Sequence, residues 1–205
     1  MFDPLFSLAG KRTLITGGAG SIGTLIAKSF AERGAIVTIQ DLDKTRIDDV
    51  KSSVSTKNEN VYAIAADLSS AQECKAVVDK ANQLMGGLDI VINTAGINRR
   101  KPISEVTPED FDAIVSVNMK AIYFISQAAH PIMKAAGGGT IVNMSSLSAR
   151  YSYNTISVYA ATKAAVSSIT RSTAREWAKD KIRVNCIEPS VIKTDFTKTL
   201  WGEPH

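Results

Sequence analysis

Histidine and cysteine are scarce in this chain: among 205 residues there are two of each, His130, His205, Cys74 and Cys186. Two cysteines cannot build a disulfide framework, neither stands in a metal-ligand spacing, and both read as buried, inert thiols. Two histidines argue against a histidine-rich metal site and against a histidine-based nucleophile triad, so no metal is expected. No segment reaches the apolar length of a membrane span. Asp3 and Pro4 stand where a signal peptide would have a basic start and an unbroken apolar run. A cytoplasmic, reducing location without a membrane partner is the expectation. Charge is nearly balanced, 24 basic against 20 acidic side chains for a net +4. It is spread along the chain without a long basic run, which argues against a nucleic-acid partner. The compact cationic cluster is Arg99, Arg100 and Lys101.

What is present is the ordinary balance of a globular domain, 44% hydrophobic and 21% charged residues, in a length that suits one sizeable core. The whole chain, 1–205, reads as a single domain. Short apolar runs alternate with longer segments of helical period. Strands are expected at 12–16, 35–40, 61–67, 88–96, 139–146 and 181–189. Helices are expected at 21–34, near 43–57, at 70–85, over a long stretch from about Thr107, and around Tyr159 and Lys163. "TPED" (107–110) offers that long helix an N-cap, a proline in the first turn and early acidic residues. Near-continuous apolar strands alternating with helices predict an α/β fold, a doubly wound parallel sheet of the Rossmann type covered on both faces.

"TGGAGSIG" (16–23) lies where the first strand hands over to the first helix. Glycines there let the backbone approach a pyrophosphate, whose charge the helix N-terminus stabilises. The spacing of Gly17, Gly20 and Gly23 is not the standard G-x-G-x-x-G, and a tight turn without a ligand is the competing reading. Asp41 ends the second strand, where a carboxylate can accept from the adenosine ribose hydroxyls and repel a 2′-phosphate. Leu42 follows, and no Arg or Lys stands in the glycine turn, so NAD is expected over NADP. Capping of the next helix is the alternative role for Asp41.

Tyr159 and Lys163, four residues apart on a helix, project from one face. A phenol ionises near pKa 10 and is a poor base at neutral pH. An adjacent ammonium, together with a positive nicotinamide ring, would lower that value and make Tyr159 a general acid/base. A solvated helix face is the alternative for the pair taken alone.

Together with "NTAG" (93–96), "SVNMKAIYF" (116–124) and "VNMSS" (142–146), the glycine turn and "YAATK" (159–163) resemble the short-chain dehydrogenase/reductase family, in order and spacing, over essentially the whole chain. The resemblance implies an NAD(P)-dependent alcohol dehydrogenase/ketone reductase with a four-residue relay. Tyr159 would be the acid/base, and Lys163 would bind the nicotinamide ribose. Ser146, favoured by spacing over Ser145, would hold the substrate oxygen, and Asn118 would anchor a proton-carrying water. Implied cofactor contacts are Gly17, Gly20, Ser21, Ile22, Gly23, Asp41, Asp67, Leu68, Asn93, Ala95, Gly96, Pro189 and Thr194, besides Tyr159 and Lys163. The family also implies a homo-oligomer, a dimer or tetramer built on the helices near 107–135 and 157–180.

Several positions depart from the family pattern: Ser21 and Ser190 replace glycines, and Thr94 replaces an asparagine. Family members normally continue past "TDFTKTLWGEPH" (194–205) into a substrate-covering segment, another helix and a last strand. The chain is therefore expected to lack these, which puts its own turnover in question. "GINRRKP" (96–102) follows the fourth strand at the ligand-binding edge of the sheet. Its three cations could attract a carboxylate, with Arg100 as the substrate contact; a solvated loop is the alternative. The opening and the "AGINRRKPISE" run look like the gluconate 5-dehydrogenase and deoxygluconate dehydrogenase branch, which implies a sugar acid or polyol substrate. The rival readings are a 3-oxoacyl thioester reductase and a catalytically silent NAD-binding or scaffold subunit.

Overall fold

A computed structural model describes residues 4–55, 60–151 and 153–198. Six parallel strands form one sheet in the order β3-β2-β1-β4-β5-β6. They are β1 (Arg12–Thr16), β2 (Ile36–Asp41), β3 (Val61–Ala65), β4 (Ile90–Asn93), β5 (Gly139–Met144) and β6 (Ile182–Ile187). Every strand alternates sides, so neighbours such as Leu14 and Ile15 enter different cores. Leu14, Val91 and Ile141 pack with Cys74, Val78 and Ala81 of α3 (Ala71–Met85) and with Ile125 and Ala129 of α5 (Ala121–Ala135). Ile15, Val37 and Ile39 pack on the other face with Ala27 and Ala31 of α1 (Ser21–Glu32) and Val54 of α2 (Lys44–Val54). The expectation of a parallel sheet covered on both faces holds.

Local chemistry sets the helix ends. Ser70 caps α3 through the amide of Glu73, and Gly86 ends it in the left-handed region at φ 69°, which glycine adopts without a Cβ penalty. Thr107 and Asp110 form a reciprocal capping box at the start of α4 (Pro108–Val115), with Pro108 in the first turn. The long helix expected from Thr107 is a rod in three parts. A wide π-helical turn, Ser116–Lys120, separates α4 from α5. The strands expected at 61–67, 88–96 and 181–189 pair over shorter spans, because Ala66, Thr94 and Glu188 already belong to the loops at the carboxyl edge. The helix expected at 43–57 ends at Val54, and its last two positions lie outside the described residues, as do residues 199–205.

The sheet order reverses between β1 and β4, whose neighbours run outward on either side. A cleft opens at such a switch point, beyond the carboxyl ends of the strands. Beneath it, Thr16, Asn93 and Asn143 are in register across β1, β4 and β5. Asn93 Nδ2 donates to Asn143 Oδ1 at 2.9 Å, and Asn143 Nδ2 to Thr170 Oγ1 at 2.9 Å. Thr170 lies on α6 (Ser157–Trp177), so this buried chain ties the helix to the sheet floor.

Candidate active site

Two cavities share this edge. The first, of about 380 Å³, is lined by the glycine turn, Asp41, Asp67, Leu68, Ala95, Gly96 and Thr194. Gly17 sits at φ +64°, and a Cβ there would lie 2.6 Å from Ala95, so the turn needs glycine for packing as well as for ligand approach. Gly20 begins α1 without a side-chain cap, which leaves the first amides of the helix free to bind an anion. The uncapped helix end, the bare turn and a carboxylate beyond it fit a dinucleotide, whose pyrophosphate and ribose require those donors and that acceptor. Asp41 Oδ2 accepts from the Ala19 amide at 3.0 Å and Oδ1 from the Leu42 amide at 2.8 Å, keeping lone pairs for ribose hydroxyls. Thr94, in the place of the family asparagine, donates its hydroxyl to the Thr16 carbonyl at 2.6 Å. Asn93 lies buried behind the cleft, and Pro189 lines the second cavity.

One cation at this cleft was not anticipated from the sequence. The glycine turn itself has no cation, but Arg46 Nη2 reaches the Ala19 carbonyl at 3.0 Å and lines the same cavity. Asp43 caps α2 through the Arg46 amide, which puts Arg46 in the first turn, pointing back to the glycines. The helix cap is Asp43, not Asp41.

The second cavity, of about 330 Å³, is bounded by Arg100, Ser146, Tyr159, Pro189, Thr194 and Phe196, among others. Tyr159 and Lys163 stand on α6, and Ser146 follows β5. Lys163 is 3% exposed and donates to the Met144 carbonyl at 2.7 Å. Burial alone pushes its ammonium down to about 8. The Tyr159 phenol departs from expectation: it is pushed above its ordinary value. Burial is the main cause, while the Ser146 hydroxyl and the charge of Arg100 pull the other way. The Lys163 ammonium turns to a carbonyl and sits 5.6 Å from the phenol ring centre, so it does not outweigh desolvation. The Phe196 ring packs on Tyr159 with 5.9 Å between centres.

Asn118 comes from the π-helical turn and is fully buried. Its Oδ1 accepts from the Ile97 amide at 2.7 Å, and its Nδ2 donates to the Ile97 carbonyl at 2.9 Å and to Thr162 Oγ1 at 3.3 Å. A Cβ on Gly96 would meet Asn118 Oδ1 at 3.4 Å and Lys163 Nζ at 3.6 Å, so both groups flank the same backbone. The four relay candidates thus come together around the junction of the two cavities.

The cationic cluster divides. Arg99 Nη1 lies 3.1 Å and Lys101 Nζ 2.5 Å from the two oxygens of Asp110, a carboxylate that is nearly buried. Two of the three cations are therefore held structurally, contrary to the expectation of a shared anion site, and Arg100 is the one that lines the cavity. Among the described residues no group of three or more His, Cys, Asp or Glu is placed to hold a metal ion, and no helix is long and apolar enough to cross a membrane.

Comparison with known proteins agrees with this geometry. The short chain dehydrogenase family model matches residues 11–204, and the chain belongs to that family. A tropinone reductase homolog of Arabidopsis thaliana is 36% identical over 97% of this chain and 75% of its own length. The 5-keto-D-gluconate 5-reductase of Escherichia coli is 35% identical over 97% and 78%. Among solved structures, a 3-ketoacyl-(acyl-carrier-protein) reductase from Brucella melitensis complexed with NADH superposes with a TM-score of 0.89. It is 35% identical, covering 94% of this chain and 80% of that one. A gluconate 5-dehydrogenase from Burkholderia cenocepacia in complex with NADP and tartrate superposes with a TM-score of 0.91. It is 31% identical, covering 97% and 78%. The chain is a short-chain oxidoreductase whose relatives act on alcohol and ketone groups.

Proposed function

We propose that this chain transfers a hydride between NAD and the secondary alcohol or ketone of a sugar acid. The observation that carries the reading is the second cavity, where Ser146, Tyr159 and, as the single cation among the described residues that line it, Arg100 face one space. Ser146 holds the reacting substrate oxygen by a hydrogen bond. The Tyr159 oxygen takes the hydroxyl proton in oxidation and returns it in reduction. Arg100 pairs with the substrate carboxylate and sets its orientation. Lys163 binds the nicotinamide ribose and exchanges the proton with Tyr159. Asn118 holds the turn at Ile97 in place and anchors the water through which that proton leaves. When bound, the nicotinamide ring supplies the hydride acceptor or donor. Asp41 favours NAD by accepting from the ribose hydroxyls. The likeness to ketogluconate and gluconate enzymes supports the substrate class.

A homo-oligomer is part of the same reading. It is supported by exposed Phe111 and Tyr123 on the α4–α5 rod and by an apolar groove between Ile103, Pro108, Phe111 and Val158.

The test is NADH formation by the purified chain with NAD and a panel of sugar acids and neutral polyols, beside Tyr159→Phe. Turnover on sugar acids, lost by at least about 100-fold in the variant, is expected. Turnover confined to 3-oxoacyl thioesters, or none from a folded chain, would overturn the substrate or the enzyme reading respectively.

A further inference from the structure

A carboxylate that none of these steps uses lies beneath the proposed relay. Glu188 follows β6 and precedes Pro189. Its Oε1 accepts from Ser167 Oγ at 2.8 Å, and its Oε2 from Arg150 Nε at 2.6 Å. Ser167 Oγ lies 2.8 Å from Ser145 Oγ, and Ser145 Oγ lies 2.9 Å from the Lys163 carbonyl, to which it can donate. Ser145 and Ser167 are 2% and 6% exposed, so water does not compete for these bonds.

Proton counting gives the chain a direction. A hydroxyl has one proton, and the charged acceptor takes it. Ser167 therefore donates to Glu188, and Ser145 donates to Ser167 or to the Lys163 carbonyl. Ser145 is the neighbour of Ser146, and its own amide donates to the Ile187 carbonyl at 2.8 Å. Leu147, on the other side of Ser146, donates its amide to the Pro189 carbonyl at 2.9 Å. The segment carrying Ser146 is thus strapped to the end of β6, and Glu188 extends that strap to α6.

We infer that Glu188 is a positioning residue for the reaction: through Ser167 and Ser145 it locks the loop that carries Ser146 against the helical turn that carries Tyr159 and Lys163. The inference rests on the proposed roles of those three residues. Arg150 is 71% exposed, and such a pair contributes little; the Ser167 arm is the one that matters. Displacing a reacting group by about 1 Å costs on the order of 100-fold in rate, so a modest loosening of this lock is visible in turnover.

Three variants test it. Glu188→Ala is expected to lower kcat about tenfold, with the KM for NAD and the melting temperature close to the parent values. Glu188→Gln keeps an oxygen for Ser167 and is expected to restore most of kcat, and Arg150→Ala to resemble the parent. Amide hydrogen exchange gives a readout that needs no turnover. In Glu188→Ala, the Ser145 and Leu147 amides should exchange faster by about tenfold, the loss of roughly one hydrogen bond's net contribution, while Val91 and Ile141 keep their protection. A parent chain without turnover would sink the proposed function, and exchange would still decide the lock. Unchanged exchange at Ser145 and Leu147, unchanged kcat in an active parent, or a uniform loss of protection through the core would each overturn the inference.

Discussion

Lys163 Nζ lies 2.7 Å from the Met144 carbonyl, held by a backbone atom two residues before Ser146. The bond fixes an ammonium that burial has brought down to about 8, beside a phenol that burial has pushed up. In this geometry Lys163 gives up its proton before Tyr159 does. In the proposed reaction the pair accepts the substrate proton once it holds one proton fewer, whichever oxygen or nitrogen carries the remaining one.

The pH profile follows with a definite sign. Oxidative kcat/KM, which reports the free enzyme, is expected to rise through about pH 8, and reductive kcat/KM to fall through the same region. Replacing Lys163 by Met should remove that inflection along with most of the activity. An inflection near 8 that survives in Lys163→Met would show that another group titrates there.

Arg100→Ala should raise the KM for sugar acids about tenfold or more, the scale of one charge-assisted hydrogen bond, and leave neutral polyols nearly unchanged. The equivalent changes at Arg99 or Lys101 should act on stability instead, because both already face Asp110. Steady-state kinetics on a matched acid and polyol pair separate the two effects. Equal losses on both substrates would remove the carboxylate pairing.

Asp41→Ala removes the carboxylate proposed to repel a 2′-phosphate and leaves Arg46 in the same cavity. The ratio of kcat/KM for NADP to that for NAD should rise by about 10-fold or more, on the scale of a charge-assisted contact. Arg46→Ala added to Asp41→Ala should reverse much of that gain. A ratio unmoved by either change would place cofactor choice elsewhere in the cleft.

Asp110 accepts from Lys101, Arg99 and the Thr107 amide, and these bonds hold its carboxyl well below the ordinary range, Lys101 being the largest cause. A carboxyl depressed in the folded state contributes stability that is present above the unfolded value, roughly pH 4, and lost as pH falls through the folded one. Acid unfolding should therefore become shallower below about pH 4 in Asp110→Asn, which is also less stable at neutral pH. Parallel pH-melting curves for the two proteins would show Asp110 to be uninvolved.

The strands and the glycine turn were legible because apolar runs and turn chemistry are local. The grouping of the relay candidates was legible through the order and spacing of the family motifs, since Tyr159 and Lys163 share one helix and Ser146 follows a neighbouring strand. Other features depend on distances the sequence does not carry. Arg46 reads as an exposed charge in a polar helix until the Asp43 cap orients it. Asp110 reads as an N-terminal helix acid, and its capture of Arg99 and Lys101 requires the path of the loop between. Glu188 precedes a proline, but its partners come from α6 and from the loop after β5, so only the β5–β6 register brings them together. The phenol shift escaped for a related reason: spacing places Lys163 near Tyr159, but depth of burial decides which influence wins.

The π-helical turn at Ser116–Lys120 changes what a count of residues does to the rod. The wide turn holds one residue more than an ordinary helical turn would, and it takes that residue up without rotating α5 relative to α4. If the same residues tightened into an ordinary helix, everything after them would rotate by about 100° around the axis. Ile122, Ile125, Ala129 and Met133 would then swing out of the core, and Asn118 would lose its register with Ile97. Loss of one residue would instead leave the two ends of the rod in phase and remove the bulge that carries Asn118. The rod is therefore indifferent to that residue, and the ground beside Ile97 is not.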